Sequence, residues 1–267
     1  MCIRDSSCVS GQMPRIVGLA YASKLYRNNK NLSDMENFSI NGNEVVFGTI
    51  GDASTSEGHF WEAINACGVL QVPLVMSIWD DGYGISVPSE YHTTRNDLSK
   101  ALSGFQRSSK KENGYEIFTV HAWDYINLLK TYQKAEKLAR EDHVPCIIHV
   151  KDVTQPQGHT TSGSHERYKS KERLNWEKDF CCIKRMREWI IENNFASNSE
   201  IDIIEKNAEE IAKKSRNRSW KSYRDDIKED FDDAIEEDFD VALICSPTSL
   251  HIDQCLTLAK LKKQPKP

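Results

Sequence analysis

Val45-Val46-Phe47-Gly48-Thr49-Ile50 runs straight into Gly51-Asp52-Ala53-Ser54, and the pattern recurs downstream, where Val72 to Ile78 leads into Trp79-Asp80-Asp81-Gly82-Tyr83-Gly84. Continuous apolar, β-branched runs of this length predict strands buried on both faces, as in a parallel sheet. Between them, Ser56 to Cys67 carries Phe60, Ile64 and Cys67 at helical spacing, with Ser56 placed to cap the helix. A strand–helix–strand unit brings the carboxyl ends of both strands to one edge of the sheet. Asp52 and Asp81 are therefore expected together at an oxygen-rich place beside a helix N-terminus. Such a place suits a hard cation and a phosphate group held side by side. Each piece alone also has a plainer meaning: Asp-Gly is a common tight turn, and Gly51-Asp52 is an acceptable helix start.

Working outward, Gln12 to Asn28 reads as a helix with Pro14 in its first turn, and residues 29–43 as a polar loop. Residues 87–111 form a long connection with a short helix over Leu98–Phe105, expected across the mouth of the site. Glu116–Val120 is a strand, Asp124–Arg140 an amphipathic helix capped by Asp124, and Pro145–Lys151 another buried strand. That last strand enters an irregular loop, Gln155-Pro156-Gln157-Gly158-His159, a common location for working residues. Strands alternating with helices predict a three-layer α/β fold with a mainly parallel sheet. Lys171–Asn194 and Ser199–Lys214 read as a helical C-terminal extension, in which Trp176, Phe180, Ile183, Met186, Trp189 and Ile190 supply a packing stripe.

Composition narrows the classes further. A net charge of −5 over 267 residues argues against general nucleic-acid affinity. Lys213–Arg224 is basic with Trp220 and Tyr223 interleaved, but the acidic run Asp225–Asp240 follows at once and cancels it. No apolar run approaches the roughly 20 residues needed to cross a bilayer, and no charged, apolar-cored leader precedes the first helix. The eight cysteines are scattered without a Cys-x-x-Cys pair, which fits reduced thiols in a bacterial cytoplasm or a matrix-like compartment.

Three blocks, in order, carry a family resemblance. Gly51–Gly58 followed by Asp80-Asp81-Gly82-Tyr83-Gly84-Ile85-Ser86 resembles the thiamine-diphosphate signature. More narrowly, it resembles that of the alpha subunit of the decarboxylating component of 2-oxo acid dehydrogenase complexes. Ser6 to Pro14 with Ala20-Tyr21-Ala22 is similar to that family's helix-leading segment, and Gly158-His159-Thr160-Thr161-Ser162 to its active-site loop. The resemblance implies oxidative decarboxylation of a 2-oxo acid with acyl transfer to a lipoyl group. Branched-chain acids are the first expectation, because Gly82 to Pro88 looks closer to that branch, and pyruvate is the second. A transketolase-like enzyme, or an inactive fragment acting as a binding or interaction module, are the rival readings. The resemblance also implies partners, namely a beta-type subunit or domain that completes the active site and a lipoyl-bearing acyltransferase.

It further implies roles. Thiamine diphosphate would supply the carbanion chemistry, and Mg²⁺ would be held by the Asp52 carboxylate, an Asp81 side-chain oxygen and the Tyr83 carbonyl. Gly51, Ala53 and Ser54 would approach the diphosphate, Val9 and Ile85 would press the cofactor into its bent form, and Gln12 with Ser10 would lie near a structural K⁺. His159 would orient the intermediate and assist acyl transfer, its loop ordered by Ser162 and Arg167. The chain departs from the family where Asp80-Asp81 replaces Asn-Asn, and where Trp79 and Gln155 replace phosphate-binding arginines.

The expected organisation is a diphosphate-binding domain at 6–173, a helical extension at 174–224, an acidic linker at 225–238 and a strand–helix unit at 239–263. That last unit resembles one in the nucleotide-binding domain of the glucose–fructose oxidoreductase family, and is either foreign sequence or an ordinary βα unit. Residues 1–5 do not match the thiamine family, and the chain reads as a fragment.

Overall fold

The computed structural model covers the central strands with helices above and below one parallel sheet, whereas the edge strand Val46–Gly51, expected to be buried on both faces, buries only one and leaves Phe47 52% exposed. It describes residues 8–32, 35, 37–159 and 165–236. Along the chain, α1 (Met13–Asn28) precedes β1 (Val46–Gly51), α2 (Gly58–Leu70) and β2 (Leu74–Trp79). A small antiparallel hairpin follows, β3 (Tyr83–Gly84) with β4 (Val87–Pro88), then α3 (Leu98–Ala101), β5 (Glu116–His121), α4 (Tyr125–Asp142) and β6 (Cys146–Lys151). The sheet order is β1-β2-β6-β5, with every pair parallel.

Alternation along the strands sorts the core into two layers. Met76 and Ile78 of β2 and Ile147 of β6 join Met13, Ile16, Phe60, Ile64 and Tyr115 in the layer that holds α1 and α2. Val75 of β2 and Cys146, Ile148 and Val150 of β6 join Ala135 and Ala139 of α4 on the opposite face. The polar groups inside are matched: the Tyr115 hydroxyl donates to the Ile64 carbonyl at 2.8 Å, and Ser77 pairs with the Tyr132 hydroxyl.

The structure bears out the α/β class and the mainly parallel sheet, and it differs in detail at several elements. Ser56 does not cap α2. Residues Ala53–Ser56 form a 3-10 turn, Glu57 occupies the cap position, and the Ser56 hydroxyl instead donates to the His92 carbonyl at 2.8 Å. The short helix of the long connection ends at Ala101, with a 3-10 turn at Ser103–Phe105. The segment 171–194 is two helices, α5 (Lys171–Asp179) and α6 (Cys182–Glu192), separated where the backbone extends at Cys181 (ψ 120°) after Phe180, whose ring stacks on Trp176 with centroids 5.3 Å apart.

The chain divides into two units, one ending at Asn193 and the other beginning at Asn194. In the second, α7 (Asn198–Glu236) is a single helix that continues through most of the stretch anticipated as an acidic linker. Good helix formers and i,i+4 pairs such as Glu209–Lys213 at 2.7 Å explain its persistence. The strand–helix unit at 239–263 lies outside the described residues.

Gly48 shows how tightly β1 meets its cover, since a Cβ there would lie 2.7 Å from the Met76 Cε and 2.8 Å from the Ile16 Cδ1. Gly48→Val should therefore cost about 1–3 kcal/mol by overpacking. Urea unfolding checks this, and an unchanged midpoint would show that the layer has slack.

Candidate functional site

The carboxyl ends of β1 and β2 stand side by side, with Gly51 paired to Trp79, so the residues that follow each strand are forced together. The Asp52 amide donates to the Trp79 carbonyl at 3.1 Å, and the Asp80 amide to the Val150 carbonyl at 2.9 Å, which ties the edge to β6. Asp52 is 4% exposed and Asp81 5%. One oxygen of each, Asp52 Oδ2 and Asp81 Oδ2, is buried without a hydrogen-bond partner.

The three carboxylates have three different environments. Burial first, and then the charges of Asp80 and Asp81, push the Asp52 carboxyl up to about 8. Burial also opposes the Asp80 charge, but two hydrogen bonds outweigh it and hold that carboxyl below its ordinary value. They come from His149 Nε2 at 2.7 Å and from the Gly82 amide at 2.9 Å. Behind Asp80, the fully buried His149 contacts the Ser99 hydroxyl through Nδ1 at 2.7 Å. Burial raises Asp81 against the pull of His159, the Tyr83 amide, Lys169 and Arg173. His159 Nε2 lies 3.2 Å from Asp81 Oδ2, a close ion-pair contact without hydrogen-bond alignment.

The hairpin β3–β4 crosses this edge closely enough that a Cβ on Gly84 would meet the Ala53 Cβ at 2.8 Å. Its turn places Ile85 at φ +60°, a conformation that strains a β-branched residue, with the side chain 59% exposed. Val9 is likewise exposed, in the turn before α1, where the Ser10 hydroxyl donates to the Ser54 carbonyl at 2.8 Å. Of the residues anticipated from sequence, Gly51, Asp52, Ala53, Ser54, Asp81, Tyr83, Ile85 and His159 thus gather at one sheet edge. Gln12 precedes α1 without making a side-chain cap. Ser162 lies outside the described residues, and Arg167 is exposed in a 3-10 turn.

Other residues of the site carried no motif. His92 Nε2 is 3.9 Å from Asp52 Oδ2 and lines a cavity of about 510 Å³ with Ser56, Trp61, Arg95 and Lys100. Lys169, Arg173 and Glu177 form a largely buried ionic cluster beside Tyr83. Their spacing of four is the one signal that could have placed them on one helix face.

Among the described residues no cluster of three or more His, Cys, Asp or Glu side chains forms a ready-made metal site. The donor set fits a different arrangement, in which one or two carboxylates and a backbone carbonyl are completed by phosphate and water, as Mg²⁺ prefers. The two buried carboxylate oxygens that accept no hydrogen bond are the observation that supports it, since each is costly to leave without a cation or a proton.

The family model described as Dehydrogenase E1 component matches residues 2–228, taking in residues 2–5 as well as most of α7. "Pyruvate dehydrogenase E1 component subunit alpha" of Rickettsia bellii is 28% identical over 208 residues, covering 78% of this chain and 56% of its own length. "2-oxoisovalerate dehydrogenase subunit alpha, mitochondrial" of Homo sapiens is 26% identical over 188 residues, covering 70% and 37%. The chain thus spans about half, or less, of the length of these relatives. A transketolase structure from Campylobacter jejuni aligns with 53% of this chain and 19% of its own at a TM-score of 0.39 and 18% identity. A likeness that slight adds nothing to the fold seen above.

The raised Asp52 carboxyl has a consequence in solution. Between about pH 4 and pH 8 the unfolded chain has released this proton and the folded chain still holds it, so stability falls as pH rises through that window. Asp52→Asn removes the titration. Melting temperatures should therefore show the wild type losing ground to Asp52→Asn from pH 5 to pH 8, and parallel profiles would refute the assignment.

Proposed function

This chain belongs to the dehydrogenase E1 component family, and from that premise we propose that it is the alpha-type, diphosphate-binding half of a 2-oxo acid dehydrogenase decarboxylating component. The observation that carries the proposal is the pair of buried oxygens on Asp52 and Asp81, neither of them hydrogen-bonded, at the carboxyl edge of the sheet. Asp52, Asp81 and the Tyr83 carbonyl would hold Mg²⁺. Gly51, Ala53 and Ser54 lie where the diphosphate would approach the backbone, and Val9 and Ile85 offer exposed apolar surface to the rings. Bound thiamine diphosphate supplies the carbanion chemistry of decarboxylation.

The chain's own contribution is electrostatic. Asp52, Asp80 and Asp81 repel one another at this edge, and Asp52 and Asp81 would hold a divalent cation that offsets the repulsion, with Asp52 ionised. His159 and a cation compete for Asp81 Oδ2, so metal occupancy frees the imidazole for proton movement at the reacting carbon. Asp80 stays ionised, its carboxylate turned onto His149 and the Gly82 amide, so its replacement of asparagine adds negative charge that a cation beside a diphosphate would have to offset.

The substrate would be a branched-chain 2-oxo acid first and pyruvate second. Support for the first is the Gly82–Pro88 resemblance, and relatives named for both substrates match at comparable identity. The activating glutamate would come from a beta-type partner, and a lipoyl-bearing acyltransferase would receive the acyl group. Acyl transfer to free lipoamide separates this reading from a transketolase-like one.

Two measurements test the proposal. Asp52→Ala should abolish Mg²⁺-dependent binding of thiamine diphosphate in calorimetry while leaving the circular dichroism spectrum intact, and unchanged affinity would remove Asp52 from the metal site. With a beta-type partner supplied, His159→Ala should keep cofactor affinity and lose roughly 10²–10⁴-fold in turnover, the usual range for a positioned acid–base group. An equal loss of cofactor affinity would make His159 a binding residue instead.

A further inference from the structure

Lys169 and the first two turns of α5 form an ionic cluster, with Lys169 and Glu177 buried and Arg173 half-buried, that the motif does not assign. Lys169, just before α5, has a side chain with no exposure, and its Nζ lies 2.7 Å from Glu177 Oε1, whose own side chain is 1% exposed. The same oxygen accepts from Arg173 Nε at 2.9 Å. Arg173 then reaches in the other direction, and its second guanidinium nitrogen donates to the backbone carbonyl of Asp81 at 2.7 Å. Both cations also face the Tyr83 ring, Lys169 Nζ at 5.0 Å and Arg173 Cζ at 5.7 Å from its centroid. Tyr168, next in the chain to Lys169, packs its ring 5.8 Å from the same tyrosine.

A buried ion cluster is a poor source of stability, because desolvation offsets most of the attraction between its charges. What it does supply is directional contact: a planar guanidinium with a carboxylate behind it donates along fixed lines. Here the fixed line ends on the peptide that links Asp81 to Gly82. Glu177 holds the guanidinium from behind and is itself held by Lys169, and α5 begins shortly after the loop that bears His159.

We infer that Lys169, Arg173 and Glu177 are positioning residues that fix the Asp81–Tyr83 backbone, from which two of the three proposed Mg²⁺ ligands come. The inference rests on the cofactor reading above and extends it to three residues outside the motif. None of the three touches the cation. They act through the Asp81 carbonyl and the Tyr83 ring, and they couple the helix after the His159 loop to the metal edge.

The test compares Arg173→Met and Arg173→Lys with wild type in the full chain, using two readouts. Hydrogen exchange at the amides of residues 81–84 reports on the backbone without cofactor, and calorimetry gives the Mg²⁺ concentration for half-maximal thiamine diphosphate binding. Arg173→Met should exchange at least about 10-fold faster there and need at least about 10-fold more Mg²⁺, with amide protection in β1, β2 and β6 unchanged. Arg173→Lys, which keeps the charge but loses the two-way fork, should fall between. Arg173→Met matching wild type in both readouts overturns the inference alone. A wild-type chain that binds no thiamine diphosphate at any Mg²⁺ concentration overturns the cofactor reading and this inference with it. General loss of protection across the sheet would also overturn it, by showing the cluster to be a fold determinant.

Discussion

Repulsion among Asp52, Asp80 and Asp81 is the constraint to which the surrounding structure answers. Parallel pairing of β1 with β2 puts their carboxyl ends in register, and each strand hands its chain to an acidic residue at the same buried edge. Three carboxylates drawn from water and brought close cannot all stay ionised without compensation. Each finds a different one. Asp80 takes His149 and a backbone amide, Asp81 takes His159 within the field of Lys169 and Arg173, and Asp52 keeps its proton. A divalent cation would replace the weakest of these arrangements, and this is why the edge reads as a binding site and not as an error of packing.

The same constraint organises the elements around the three carboxylates. The β3–β4 hairpin must pass close over Ala53, and Gly84 is the residue that permits it. Helix α5 braces the far side of Asp81 through Arg173. The N-terminal turn is pinned to the 3-10 turn after β1 by Ser10, whose hydroxyl donates to the Ser54 carbonyl and whose backbone is held at φ +62°. Stability and function are thus drawn from different places: the two apolar layers about the sheet hold the fold, and the polar edge spends part of that stability on keeping carboxylates dry.

Much of this was legible in the chain because periodicity and punctuation agree. Val45–Asp52 and Val72–Asp81 could scarcely be other than parallel strands ending on acids, and from them followed the sheet and the meeting of Asp52 with Asp81. Local reasoning failed where a tertiary partner outbid a local one. Ser56 was a sound cap by composition, yet its hydroxyl goes to the His92 carbonyl. Residues 171–194 read as one helix, and the backbone instead extends at Cys181 and divides it in two. His149, deep in β6, read as one more strand residue, because nothing in the sequence links it to Asp80. The ionic cluster of α5 was hidden similarly, since Lys169, Arg173 and Glu177 sit among other charges and only burial separates them from a solvated face.

The central claim is that Asp52 and Asp81 share one divalent cation. The most direct measurement is an anomalous difference map from crystals grown with thiamine diphosphate and Mn²⁺ in place of Mg²⁺. A single peak in contact with one oxygen of each carboxylate and with the Tyr83 carbonyl, with His159 moved off Asp81, is the predicted result. A peak elsewhere, or His159 still paired with Asp81 at full cofactor occupancy, would contradict it.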